Sequence, residues 1–123
     1  MDLVALSRWN EGRMQLAARV GETLVALVEL YNYDPVHRRA EVGIVVDTPY
    51  RFQGYGADAL RELERYVQQH LALHLLYCDI LEDNLVSQHL FAKCGYVQCG
   101  RFTEWVSDEE GNYHDVVRYQ KLL

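Results

Sequence analysis

The chain of 123 residues has little that could fix a fold covalently. Its three cysteines, Cys78, Cys94 and Cys99, are odd in number and have no pairwise spacing. They read as free thiols of a reducing compartment, which places the protein in the cytoplasm. No Cys-x-x-Cys and no Cys/His zinc spacing occurs, so no metal is expected. Basic residues are in the minority, with 12 Lys and Arg against 18 Asp and Glu and a net charge of −6. A phosphate-backbone binder is normally basic, so no nucleic-acid partner is expected. Apolar runs stop at about five residues, as at 24–28, far below the ~20 of a membrane helix, and no membrane partner is expected. The first twenty residues carry Asp2, Arg8, Glu11, Arg13 and Arg19, which interrupt any signal-peptide core. Only two prolines occur, Pro35 and Pro49. There is no internal repeat and no low-complexity tract.

Half of the residues are hydrophobic. The length suits one domain, residues 1–123, which buries about two thirds of the surface its unfolded chain exposes. Met14, Leu16, Ala18 and Val20 alternate with polar neighbours and predict a strand. Gly21-Glu22 reads as a tight turn. Residues 23–31 are apolar or β-branched on both faces, like a central strand. Asn32-Tyr33-Asp34-Pro35 reads as a turn. Residues 40–46 form a third strand, with Ala40, Val42, Ile44 and Val46 on one face. Leu60, Leu63, Val67 and Leu71 then fall at helical spacing, with Asp58, Arg61, Glu62, Glu64, Arg65 and Gln68 opposite them. This predicts a helix of about four turns. Residues 73–81 read as a buried strand. Asp83 or Asn84 caps a second helix with Val86, Leu90 and Phe91 inward, and Gly95 stands at its C′ position. Strands near 96–106 and 113–122 close the chain around an Asp108–Asn112 hairpin loop. The order is three strands, helix, strand, helix and two strands. That is a mixed α/β sheet with at least one parallel crossover.

Arg51-Phe52-Gln53-Gly54-Tyr55-Gly56-Ala57 follows a strand and opens a helix. Its glycines allow a sharp turn and close approach of a ligand to the backbone. The first helical amides have no intrahelical acceptors, so the segment suits an anion such as pyrophosphate. It is neither a Walker loop nor a GxGxxG fingerprint. A plain loop-to-helix turn accounts for the glycines equally well.

A second segment, Asn84-Leu85-Val86-Ser87-Gln88-His89-Leu90-Phe91-Ala92-Lys93-Cys94-Gly95-Tyr96, follows the buried strand. With it the chain resembles the GNAT superfamily of acyl-CoA-dependent N-acetyltransferases, and looks most like the branch of spermidine and ribosomal-protein N-acetyltransferases. Arg51, Gly54 and Gly56 match the family's Arg/Gln-x-x-Gly-x-Gly/Ala loop. The second segment matches its Asn-x-x-(Ser/Ala)-x-x-Leu-(Tyr/Phe)-x-Lys-x-Gly-(Phe/Tyr) helix. The resemblance runs from about residue 13 to the end and implies the GNAT fold with acetyl-CoA as cosubstrate. Backbone groups of Ile44, Val45 and Val46 are then expected to hold the pantetheine arm. The amides of Arg51, Phe52, Gln53, Gly54, Tyr55 and Gly56 are expected to hold the pyrophosphate. Asn84 is expected to touch the CoA arm, and Phe91 to Lys93 to lie beside the thioester.

Two departures from the family pattern stand out. Many members carry tyrosine where this chain has Phe91, and phenylalanine cannot protonate a departing thiolate. Only Met1 to Gly12 precede the first matching strand, too few for the strand and helices with which the family begins, so a shortened front is expected. An attacking amine must lose a proton. Asp79 is the first candidate base and Glu41 the second. Both also read as ordinary strand residues, Glu41 as a solvated strand end. Tyr96 reads as a core residue, His70 and His74 lack a third metal ligand, and Asp108, Glu109 and Glu110 read as a solvated turn or a lure for a cationic acceptor. Tyr31 and Tyr33 read as core or as cleft walls. The expected activity is acetyl transfer to a primary amine by direct attack in a ternary complex, the acceptor being a polyamine, another small amine or a protein N-terminus. The alternatives are a catalytically weak acyl-CoA-binding module and an inert fragment. A homodimer is among the possible partners.

Overall fold

The computed structural model describes every residue except Arg8. Seven strands form one sheet: β1 (Asp2–Ala5), β2 (Met14–Val20), β3 (Thr23–Asp34), β4 (Arg39–Val46), β5 (Leu75–Leu81), β6 (Val97–Ser107) and β7 (Tyr113–Leu122). Helix α1 (Tyr55–His70) joins β4 to β5, and α2 (Leu85–Lys93) joins β5 to β6. The spatial order is β1-β2-β3-β4-β5-β7-β6. This is the mixed α/β architecture that the alternation and the helical spacing predict, and no helix is long and apolar enough to cross a membrane among the described residues.

Two elements differ from the sequence-based reading. A strand, β1, lies ahead of the first predicted one and pairs antiparallel with β2. The turn expected at residues 32–35 sits later, at 35–38, and β3 runs on to Asp34. Asn32 takes a left-handed φ of 52°, and the ladder with β4 shifts between Tyr31 and Asp34. A bulge has absorbed the turn signal without ending the strand.

Leu60, Leu63 and Val67 of α1 are buried on the sheet against Leu16, Val28, Leu30 and Val42. The second helix touches the first: a Cβ on Gly56 would stand 3.2 Å from a Leu90 methyl carbon. Tyr119 of β7 donates to Gln88 of α2, and the Lys121 Nζ donates to Glu64 of α1 and to the Cys94 carbonyl. One sheet face is therefore covered by both helices. On the other face the register lines up Tyr31, Glu41 and Tyr77 on β3, β4 and β5, and Asp79 against Arg118 on β5 and β7. No helix covers that face among the described residues.

The feature that positions the site is the parting of β4 from β5. They are parallel and pair only at Arg39–Leu75, Ala40–Leu76 and Glu41–Tyr77. Beyond that, β4 continues to Val46 and β5 to Leu81 without a shared ladder. The amides and carbonyls facing the gap lack strand partners.

Candidate active site

The gap opens into a groove of about 690 Å³. Ile44, Val45 and Val46 form one wall, Arg51, Phe52, Gly54 and Gly56 the mouth, and Asn84, Val86, His89, Leu90 and Lys93 the opposite wall. The mouth forms because Asp47 caps a short 3-10 turn (Thr48–Tyr50) and Gly54, at φ 85°, caps α1. The first bond of α1 runs from the Asp58 amide to the Gly54 carbonyl. The amides of Tyr55, Gly56 and Ala57 therefore have no acceptor within the helix and stand at the positive end of its dipole.

The structure brings most of the expected cofactor residues to this groove: Ile44, Val45, Val46, Arg51, Phe52, Gly54, Gly56, Asn84 and Lys93 all line it. Arg51 folds back, its Nε donating to the Val46 carbonyl at 2.9 Å, so it braces the mouth against the strand end. Asn84 caps α2, its Oδ1 accepting from the Ser87 amide, and its Nδ2 is left to donate to a ligand. Three expected residues have their side chains engaged elsewhere. Gln53 donates to the Pro49 carbonyl and Tyr55 packs edge-on against Tyr50. Phe91 is 3% exposed and meets Tyr96 edge to face at 4.9 Å, so its ring belongs to the core and not to the groove. Val86, expected inward, is exposed and lines the groove instead. The face of α2 that walls the groove is Val86, His89, Leu90 and Lys93, whereas the sequence pattern groups Val86 and Leu90 with Phe91 as the inward face.

The candidate bases differ sharply. Both oxygens of Asp79 accept from Arg118, from Nε at 2.7 Å and from Nη2 at 2.9 Å. The guanidinium lies over the rings of Tyr77, at 4.6 Å, and Phe102, at 5.1 Å, and the carboxylate holds its pKa above the ordinary value. Both oxygens are thus engaged by the same guanidinium, which weighs against Asp79 as the base. Glu41 is 8% exposed, not a solvated strand end. Its Oε1 accepts from the neutral Asn32 Nδ2 at 3.0 Å, and no cation pairs with it among the described residues. It occupies the last paired register, where β4 and β5 part. Tyr31 and Tyr77 flank it across both neighbouring strands, and burial, then the Glu41 charge, raises the pKa of each. Tyr31 reaches across because Gly43 has no side chain; a Cβ there would stand 3.3 Å from the ring.

Other sequence candidates take structural roles. Tyr96 is buried, and burial pushes its hydroxyl pKa up. Burial pushes the Cys78 thiol up to about 12 and raises that of Cys94, so neither supplies a thiolate nucleophile. Asp108 organises its hairpin, accepting from the amides of Glu110 and Asn112 and facing His114 Nε2 at 2.8 Å. Tyr33 stacks on Trp9. His70 packs on Tyr66, and no cluster of three metal-ligating side chains exists among the described residues.

Comparison with known proteins follows the same lines. The model of the Acetyltransferase (GNAT) family matches residues 2–96. Spermidine N(1)-acetyltransferase of Vibrio cholerae serotype O1 is 30% identical over 109 residues, which is 89% of this chain. The chain spans 62% of the length of that relative. A solved mutant of spermidine N-acetyltransferase SpeG from Vibrio cholerae superposes with a TM-score of 0.86 at 26% identity, covering 92% of this chain and 67% of that one. The Vibrio cholerae enzyme solved with CoA and spermine gives 0.83 at 27% identity, covering 90% and 66%. A dodecameric structure of that enzyme gives 0.82 at 26% identity, covering 92% and 66%.

Proposed function

This chain belongs to the GNAT acetyltransferase family, and from that premise we propose that it transfers acetyl from acetyl-CoA to a primary amine of a polyamine. The observation that carries the reading is the groove between the parted strands, whose shape and charge fit an extended polyanionic thioester. Its lining has Arg51, His89 and Lys93 and no Asp or Glu. The amides of Tyr55 and Gly56 suit the pyrophosphate, and the unpaired edge of Ile44 to Val46 suits the amide-bearing arm. Bound acetyl-CoA supplies an activated acetyl group.

The chain's residues supply position and a proton acceptor. Glu41 stands at the apex of the gap on the open sheet face, beside Tyr31 and Tyr77. An ammonium arriving there meets a carboxylate without a cationic partner and two aromatic walls. Glu41 takes its proton, directly or through water, so that the free amine attacks the thioester carbon; the C–S bond then breaks, and the second proton shed by the nitrogen passes to the departing CoA sulfur, directly or through water. Strand amides at the gap polarise the carbonyl, and holding both reactants in one cleft supplies most of the rate. The spermidine-acetylating relative supports a polyamine acceptor, as does the net charge of −6. The free cysteines suit the cytoplasm. The long outer strand β6, with Val97 and Trp105 exposed, suits a homodimer contact.

A second reading, acyl-CoA binding without turnover, draws on the Phe91 ring in the core and on the engaged oxygens of Asp79. Calorimetric titration with acetyl-CoA, with acetyl-pantetheine as control, followed by a spermidine turnover assay, separates the two. The proposal expects phosphate-dependent binding and turnover. It also expects Glu41→Gln, which keeps the bond from Asn32, to cut turnover about 100-fold while acetyl-CoA affinity holds. Binding with no turnover on any amine selects the second reading.

A further inference from the structure

The open sheet face carries three carboxylates around the point where β4 and β5 part, and two of them are locked. Glu41 sits opposite Tyr31 on β3 and Tyr77 on β5. Glu29 stands two residues from Tyr31, and Asp79 two residues from Tyr77, so both share the face of Glu41. One strand spacing and one two-residue step set each of them about 8 Å from Glu41 between Cα atoms. Arg118 holds both oxygens of Asp79, at 2.7 and 2.9 Å, and Arg13 Nη2 holds both oxygens of Glu29 at 2.8 Å. The same two guanidinium groups lie over the tyrosines that flank Glu41, Arg118 at 4.6 Å from the Tyr77 centroid and Arg13 at 6.0 Å from that of Tyr31. Glu41 between them has the neutral Asn32 amide and no cation among the described residues. Three free carboxylates would suit an acceptor with several closely spaced ammonium groups. One free carboxylate between two occupied ones suits a single ammonium.

We propose that Arg13 and Arg118 set acceptor selectivity: by occupying Glu29 and Asp79 they make the site read one ammonium and gain nothing from a second one a few carbons away. The inference rests on Glu41 being the place where the acceptor amine is held, and adds which amines that place takes. A polyamine is then taken by one end, while its other charges trail out of the cleft. Both arginines act through the carboxylates they occupy and touch no reacting atom, so they are selectivity residues and not catalytic ones. Removing either guanidinium releases a carboxylate that the second ammonium of a short diamine can meet. The Arg118 pair is the stronger lock, because Phe102 also packs on its guanidinium at 5.1 Å. Arg13 has its side chain 64% exposed, so solvent screens its pair and its effect is the smaller.

The test compares butylamine with 1,4-diaminobutane, which share a four-carbon stem and differ in the second ammonium. Initial rates at saturating acetyl-CoA give kcat/KM for each with the full chain. The unaltered chain should favour the diamine by no more than about threefold, little beyond the factor of two for its equivalent ends. In Arg118→Gln the diamine-to-butylamine ratio should rise about 3- to 30-fold, the effect of one unit charge about 8 Å away at an effective dielectric of 20–80. In Asp79→Asn the guanidinium is left uncompensated, and the ratio should fall. Opposite signs at the two ends of one ion pair are not what a loss of structure produces. Arg13→Gln, on the exposed pair, should move the ratio the same way as Arg118→Gln and by less. Melting curves identify the folded variants. A diamine more than about threefold better in the unaltered chain overturns the selectivity and leaves the proposed function standing. An unmoved ratio in the folded arginine variants does the same. No turnover of any amine overturns the proposed function, and the selectivity with it.

Discussion

Gly56→Glu separates the effect of charge in the groove from the effect of folding. Gly56 lies in the first turn of α1, and its missing Cβ would stand 3.2 and 3.4 Å from the Leu90 methyls and 3.5 Å from Val46 Cγ2. All three neighbours are side-chain methyls, so alanine is admitted by a shift of a few tenths of an ångström. Alanine also gains helix preference of up to about 1 kcal/mol. Gly56→Ala should therefore change stability by less than about 1 kcal/mol and leave acetyl-CoA affinity within a few-fold. Glutamate meets the same crowding at Cβ, and its carboxylate must extend into a groove that has no acidic residue. Against a bound phosphate at about 5 Å, one unit charge at an effective dielectric of 20–80 costs about 1–3 kcal/mol, or about 5- to 150-fold in affinity. The same carboxylate at a helix N-terminus is favoured by about 0.3–1 kcal/mol, so melting temperature should hold or rise. Calorimetry of both variants at low and high salt is the assay. The electrostatic loss should shrink as salt screens it. Undiminished affinity in folded Gly56→Glu would refute the phosphate site. An equal loss in Gly56→Ala would show that the groove tolerates no Cβ and that charge is not the cause.

Asp79→Asn leaves the Arg118 guanidinium without its paired carboxylate. With side chains 21% and 37% exposed, the pair is discounted for solvent, and a loss of about 1–2 kcal/mol is expected in thermal unfolding. The pH–rate profile should keep its shape; a rate loss confined to neutral pH would restore Asp79 as the base. Phe91→Tyr places a hydroxyl in the core beside Tyr96, so stability should fall by about 1–3 kcal/mol with no gain in turnover. A faster enzyme would show that the ring reaches the leaving group. His114 has its pKa raised, first by the hydrogen bond to Asp108, and Asp108 has its own lowered by the same bond. The histidine's contribution is complete below its ordinary 6.5 and fades as pH rises through the raised native value; the aspartate's is present above its ordinary 3.8 and fades as pH falls through the lowered native value. Melting temperatures from pH 3 to 9 should show both flanks in the unaltered chain and lose the alkaline one in His114→Gln. An unchanged alkaline flank would remove this pair as its cause.

The elements with local signals were legible from the residues. β2 and β7 have the bounds their alternation and flanking glycines predict, and Asn84 caps α2 as its residue type suggests. What escaped depends on partners distant in the chain. Asp79 reads as a free carboxylate until the register sets it opposite Arg118, 39 residues away. Glu41 reads as a solvated strand end because nothing local shows Asn32 and two tyrosines closing over it. Phe91 keeps the helical period that suggested an inward ring, but period alone does not tell a core-facing position from a ligand-facing one. The loop 51–56 could be read as an anion cradle. Lys93 could be read beside it from the helix motif, whereas His89 joins the same groove only when the two helices come together.

The three-register seam between β4 and β5 also divides the sheet mechanically. On one side lies a run of antiparallel neighbours, β1 to β4, and on the other the trio β5, β7 and β6. Between these halves the backbone ladder is short, and α1 and the core carry much of the load. A molecule with its own amides lying in the gap becomes a missing rung: it ties two half-sheets that the polypeptide leaves partly unlaced. Its binding then stiffens the fold as well as filling a site, so amide protons along the upper parts of β4 and β5 exchange more slowly in the bound protein than in the free one.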